Sequence, residues 1–261
     1  MALFKNFSVG ISTYSDAHKL IVKQRLWWYV LLPGLINLVI FSFIFFLGWH
    51  YSGRISNWLM DLLGLNTEPT GLLRYLILFI RFLLNFLFQF IVILIYIAVY
   101  KYIVLMIMSP VLAILSEKTE KLITGNKYPF KFKQLIKDII RGNIIVIRNM
   151  SIEFIGTVVL FFVGYIPIIG FFSPVVLIII SFYFFGFSMI DYSSERHKLS
   201  IKESIHYVRA NKGFAIANGC IFYLLLLIPI IGLLIAPAYS IIAATLGVEK
   251  IKNQIPKTAL Y

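Results

Sequence analysis

Charge is scarce in this chain: only 13 % of its 261 residues are Asp, Glu, Lys or Arg, against about 25 % in an ordinary soluble domain. Acidic groups are scarcer than basic ones, 11 against 24. Cysteine is reduced to Cys220, which excludes a disulfide framework and a thiolate metal cluster. The four histidines, His18, His50, His197 and His206, share no ligand spacing, so no metal is expected. There is no nucleotide-binding loop, and nothing calls for a cofactor. Two long blocks, 154–190 and 213–248, hold no Asp, Glu, Lys or Arg at all, which argues against proton coupling through a carboxylate inside them. These absences argue against a soluble enzyme.

What the chain has instead is hydrocarbon. Hydrophobic residues make up 60 %, with 24 Phe and 15 Tyr, and the mean hydropathy is +0.90. Such a composition suits a protein whose main solvent is lipid, with aromatics at the two interfaces. The N-terminus is not a secretory signal, because Lys5, Asp16, Lys19 and Lys23 precede a first apolar run longer than an h-region.

Residues 1–25 place Leu3, Phe4, Phe7, Ile11, Tyr14, Leu20 and Ile21 at roughly helical spacing among charges, which predicts an amphipathic helix on the membrane surface. A first span is expected over 26–50 and a second over 76–100, each long enough for the roughly 20 residues a bilayer demands. Trp27, Trp28 and Tyr29 at one end of the first span, with Trp49 and Tyr51 at the other, read as interfacial anchors. Residues 54–74 read as a polar connection. Ser109–Pro110 predicts a fresh helix with Ser109 as N-cap, ending near Gly125. Residues 110–150 then supply cytoplasmic or interfacial helices.

The two charge-free blocks repeat one another. Each contains Ile-Pro-Ile-Ile-Gly, at Ile166–Gly170 and Ile228–Gly232. Gly and Pro interrupt helices, so each block is expected to be a helix, a tight turn and a second helix. The short arms favour hairpins that enter the bilayer and return to the same side; two thin full crossings are the alternative. The fold class is thus an all-α membrane protein of one domain spanning 1–261: two long transmembrane helices, two Pro/Gly-tipped hairpins over 154–190 and 213–248, and interfacial amphipathic helices. The 24 Lys and Arg fall 4 in 1–25, 9 in 101–148, 5 in 196–212 and 3 in 250–257, against 3 in 54–81. That asymmetry puts both termini in the cytoplasm and argues for lipid, not nucleic acid, as the partner of the net charge of +13.

Three stretches carry a family resemblance. Ser109-Pro110-Val111-Leu112, Leu115-Ser116-Glu117-Lys118 and Leu122-Ile123-Thr124-Gly125 form one. Asp191-Tyr192, His197-Lys198, Lys202-Glu203, Arg209 and Lys212 form another, and the repeated Ile-Pro-x-x-Gly tips with Leu32-Pro33 complete the set. In this order they resemble the CysZ sulfate-permease family, which shares its domain with a eukaryotic etoposide-induced membrane protein. The resemblance implies a homo-oligomer of the bacterial cytoplasmic membrane, with two long spans and hemi-penetrating hairpins, that moves a small inorganic anion. It also implies an anion site just before the first span, where the family often has Gly-Leu/Ile-Arg-Arg. Here the aligned residues are Arg25-Leu26-Trp27-Trp28, which leaves Lys23, Arg25 and Leu26 as the candidate substrate site.

Other candidates come from the residues alone. Arg81, Asn85 and Gln89 sit at i, i+4 and i+8 and define a polar stripe on the second span; it either lines a pore or bonds helices together. The tips Pro167, Gly170, Pro229 and Gly232 either aim backbone amides at an anion or simply turn the chain. On the turn reading the two glycines are expected at positive φ, and Gly34, inside the first span, should tolerate Ala better. The basic face from Lys118 to Arg148 either collects anions ahead of transport or holds anionic lipid headgroups, the commoner fate of such a run at a cytoplasmic surface. The function expected is an anion permease or channel-like pore of sulfate type, the alternative being a lipid-interacting or scaffolding membrane protein without transport. An enzyme is not expected.

Overall fold

A computed structural model describes residues 2–62, 71–125, 132–166, 169–197, 199–228 and 230–254. The regular structure among the described residues is wholly α-helical: α1 Ala2–Lys23, α2 Trp27–Leu62, α3 Leu72–Ile107, α4 Ser109–Thr124, α5 Phe132–Val163, α6 Ile169–Arg196, α7 Ile201–Ala210, α8 Lys212–Leu226 and α9 Ile231–Gln254. Among the described residues, four stretches are long and apolar enough to cross a membrane, Trp27–Leu62, Ile139–Leu160, Gly170–Arg196 and Leu234–Lys252. The fold class is as the sequence implied, an all-α membrane protein.

Boundaries differ from expectation where local signals were weak. The helix of the first span runs on to Leu62, because Ile55, Trp58, Leu59 and Leu62 keep it apolar past the charge of Arg54. The second begins at Leu72. The expected N-cap Ser109 is already helical, and Met108 is the N-cap, with no side-chain bond; Gly125 closes α4 at φ 75 as expected. The last of the cytoplasmic or interfacial helices expected over 110–150 and the first arm of the first block are one helix, α5, since no Gly-Pro punctuation separates them. The charged loop after α6 holds α7, started by a capping box in which Ser200 Oγ accepts from Glu203 N at 3.3 Å and Glu203 Oε2 accepts from Ser200 N at 2.7 Å.

The described chain falls into two compact units, Met1–Asn37 with Tyr102–Tyr261, and Leu38–Lys101. In the first unit α6 packs along α8, α1 along both α8 and α9, α5 on α6, and α4 on α9. Small residues let these helices approach: a methyl built on Gly186 would stand 1.9 Å from Ala215 O, and one on Gly219 2.0 Å from Phe182 O. Phe185 and Phe222 stack between them with centroids 3.6 Å apart. The helix expected on the membrane surface, α1, is part of this core on one face. Thr13, Ala17 and Ile21 are fully buried, Tyr14 OH donates to Asn218 O at 2.8 Å and Asn6 Nδ2 to Asn211 Oδ1 at 2.9 Å. Its other face keeps Phe4, Ile11 and Val22 exposed. In the second unit α2 and α3 supply aromatic rows, Phe41–Phe45–Trp49 and Phe82–Phe86–Phe90, stacked at helical spacing.

Candidate functional site

The corner between α1 and α2 is built by a Schellman motif. Leu26 N donates to Ile21 O at 3.0 Å and Arg25 N to Val22 O at 3.3 Å, the 6→1 and 5→2 bonds that end a helix. Buried Ile21 and Leu26 supply its apolar contact. The motif needs a left-handed residue between them, and that residue is Arg25, φ 51, where glycine would sit without strain. This separates the three candidates by role. Leu26 has its side chain buried and its amide spent on Ile21; it is the pin of the corner. Lys23 and Arg25 are exposed.

Immediately beyond, α2 starts: Val30 N donates to Leu26 O at 3.2 Å. The amides of Trp27, Trp28 and Tyr29 therefore have no acceptor one turn earlier in their own helix, and the positive end of the helix dipole lies with them. A further cation joins them, from the basic face whose expected roles were anion collection or lipid contact. Lys118 of α4 places Nζ 3.7 Å from the Tyr29 ring centroid. Lys118 and Tyr29 are far apart in the chain, and no spacing rule relates them.

The polar stripe of α3 lies in the second unit, half-buried. Asn85 Nδ2 bonds back to Arg81 O at 3.1 Å, and Gln89 Nε2 reaches Gly48 O of α2 at 3.4 Å. Arg81 Nε and Gln89 Oε1 are buried with no hydrogen-bond partner among the described residues.

Pro167 and Pro229 lie outside the described residues. The glycines of the two repeats make the same bond, Gly170 N to Ile166 O at 2.9 Å and Gly232 N to Ile228 O at 2.8 Å. Their expected positive φ is not found; the left-handed residue of the second tip is Ile230, φ 62. The glycines serve close approach instead. A methyl on Gly170 would stand 2.0 Å from Gly164 O, and on Gly232 2.1 Å from Leu225 O. Gly34 is no freer, since a methyl there would stand 2.1 Å from Leu234 O of α9. The expected tolerance at Gly34 is therefore corrected: being helical does not help a residue whose Cβ direction is filled by another backbone.

Three polar clusters bring together residues that lie far apart in the sequence. Glu153 sits just ahead of the first charge-free block, yet inside the apolar stretch Ile139–Leu160. Tyr102 OH donates to its Oε2 and Ser181 Oγ to its Oε1 at 2.5 Å. Counting charge by block hid it, because α5 ignores the block boundary. Toward the other end of α6, Arg141 grips Asp191 with both Nη atoms at 2.8 and 3.1 Å, and Ser204 Oγ donates to Asp191 at 2.5 Å. Glu120, His197 and Glu249 bring three ligand atoms within 4.8 Å of one another. Arg196 Nε, 2.5 Å from Glu120 Oε2, already supplies the positive charge a divalent ion would bring, so the cluster reads as an ion-pair network tying α4, α6 and α9. Burial, then the charge of Lys252, holds the His197 imidazole below its ordinary pKa.

Residues 14–237 match the family described as Sulfate transporter CysZ/Etoposide-induced protein 2.4. Proteins named Sulfate transporter CysZ are similar over most of their length. That of Pseudomonas fluorescens strain SBW25 is 31 % identical over 230 residues, 87 % of this chain and 86 % of the relative. That of Pseudomonas fluorescens strain Pf0-1 is 28 % identical over 87 % of this chain and 88 % of the relative, and that of Pseudomonas paraeruginosa strain PA7 26 % identical over 91 % and 93 %. With the matched region running from within α1 to within α9, the chain belongs to the Sulfate transporter CysZ/Etoposide-induced protein 2.4 family.

Proposed function

We propose that the chain is an anion permease with a sulfate-type oxyanion as cargo, and that the anion is met at the corner of α1 and α2. The observation that supports this best is the left-handed Arg25, exposed directly ahead of the first amides of α2, which have no acceptor within their own helix, with Lys118 against Tyr29 in the same turn. An oxyanion leaving water needs replacement donors, and a guanidinium, an ammonium and helix N-terminal amides are donors of the right sign. The named activity of the relatives points to the same cargo. Along α3, buried and unpartnered Arg81 Nε and Gln89 Oε1 fit a polar path in which Asn85 shares, since unsatisfied polar atoms in an apolar span call for an occasional partner.

In this reading the protein works in a bacterial cytoplasmic membrane as one membrane domain, oligomeric, with both termini in the cytoplasm and transport rather than catalysis as its task. The test is sulfate flux into liposomes holding the purified chain. Arg25→Gly keeps the left-handed corner and removes the charge; Arg25→Lys keeps the charge. Losing a charged donor to the anion costs about 1.5–3 kcal/mol, so Arg25→Gly is expected to cut flux at low sulfate by about tenfold or more, with Arg25→Lys between it and wild type. Unchanged flux in Arg25→Gly places the anion elsewhere, and absence of flux of sulfate, sulfite and other anions in the wild type refutes the permease.

A further inference from the structure

Ile179, Ile180 and Tyr183 of α6, Arg209 of α7, and Lys212 and Ile216 of α8 surround a cavity of about 490 Å³ in the first unit. Its lining is sorted by polarity along its length. α6 and α8 run antiparallel here, since Gly186 meets Ala215 and Gly219 meets Phe182. Lys212, at the start of α8, and Arg209, just before it, therefore stand at the end of the cavity toward the ion-pair networks of Asp191 and Glu120. Ile179 and Ile180 stand about two turns or more deeper, on the order of 14 Å along the helix. Tyr183 lies between these levels along α6 and lines the cavity with them. Both cations are exposed, and beyond the isoleucines the same face of α6 continues with Val176, 41 % exposed.

We propose that this cavity is a binding site for an anionic phospholipid, with the phosphate and acidic headgroup on Arg209 and Lys212 and one acyl chain along Ile216, Ile180 and Ile179. The occupant follows from the two ends together. A phosphate-type oxyanion satisfies the cations, but a free one gains nothing from three isoleucines and would leave them facing water or another lipid. An uncharged amphiphile fits the isoleucines and leaves two positive charges unanswered. A zwitterionic phospholipid brings its own cation to the same two side chains. The Tyr183 hydroxyl, at the level where polar and apolar linings meet, suits the ester region of a glycerolipid. The site is separate from the α1–α2 corner and does not depend on transport.

Native mass spectrometry of the detergent-solubilised chain, titrated with phosphatidylglycerol or phosphatidylcholine, tests this. Phosphatidylglycerol is expected to be retained preferentially. Each cation is worth about fivefold near an anionic surface, so Arg209→Gln with Lys212→Gln should lower its retention by about 25-fold while leaving phosphatidylcholine unchanged. Ile180→Trp, which fills the deep end and keeps both charges, should lower it as well. A melting curve on each variant confirms that the fold is intact. Equal retention of the two lipids by wild type, or full retention of phosphatidylglycerol by the double variant, overturns the proposal. A third arm uses inorganic sulfate and phosphate at millimolar concentration. Thermal stabilisation by either ion that disappears in the double variant, and survives Ile180→Trp, makes this a free-anion site and overturns the lipid assignment.

Discussion

Replacing Gly34 by Ala is the sharpest probe of how the first unit is held. The added methyl would stand 2.1, 2.3 and 2.6 Å from the O, Cα and C atoms of Leu234, where ordinary carbon contacts begin near 3.5 Å. The obstacle is backbone, so no side chain can swing aside; α2 and α9 must part by more than an ångström. Overpacking of this kind costs about 1–3 kcal/mol, occasionally more, against a helix-propensity gain of about 0.5–1 kcal/mol for Ala over Gly. Gly156 of α5 is the control: it is helical too, and nothing lies within 4 Å of a methyl built there. In a detergent melting assay, at roughly 2–4 °C per kcal/mol for a chain of this size, Gly34→Ala is expected to fall by several degrees and Gly156→Ala to hold or rise slightly. Gly34→Ala melting at or above wild type would refute the backbone-to-backbone crossing.

Three further outcomes are expected. Ile230→Gly should raise the melting point by a few degrees, because a left-handed conformation costs a side-chain-bearing residue about 1–2 kcal/mol, most of which glycine avoids; a drop would mean the second tip is built otherwise. Glu153→Leu should destabilise by about 2–4 kcal/mol by stranding the Tyr102 and Ser181 hydroxyls, with Glu153→Gln milder; equal melting of the two variants would remove Glu153 from the framework. The neutral form of His197 is favoured by folding, first through desolvation and then through Lys252, with Glu120 and Glu249 opposing. The unfolded chain takes its proton near the ordinary value of 6.5 and the folded chain only at lower pH, so stability present above that value is lost as pH falls below it. Melting points from pH 7.5 to 5.5 should fall less steeply in His197→Gln than in wild type, and parallel slopes would exclude His197.

What was legible in the chain was punctuation and composition. The Gly125 stop, the Ile-Pro-Ile-Ile-Gly breaks and the charge-free blocks act within a few residues of themselves, so they could be read in line. The capping box Ser200-x-x-Glu203 was equally local and was there to be found. The corner at Arg25 was half legible: Ile21 and Leu26 have the five-residue spacing of a Schellman contact, but the glycine that advertises one is missing. Nothing local marks Gly34 against Leu234 or Lys118 against Tyr29, which are contacts between distant segments. Glu153 was misjudged for the opposite reason, a boundary drawn by charge where the backbone has none.

The packing of α1 has a consequence for how the protein is made. Tyr14 bonds to Asn218, a residue 204 positions later, and the fully buried Ala17 and Ile21 lie on a helix that packs against α8 and α9. At synthesis rates of about 5–20 residues per second, α1 leaves the ribosome roughly 10–40 s before those partners exist. Through that interval its inner face has only the bilayer surface for shelter, so the amphipathic pattern that reads as a surface helix describes a station on the route as well as the outer face of the finished molecule. Weakening that pattern at Phe4 or Ile11, both exposed at the end, is therefore expected to lower the yield of inserted protein while leaving the stability of what does fold almost unchanged.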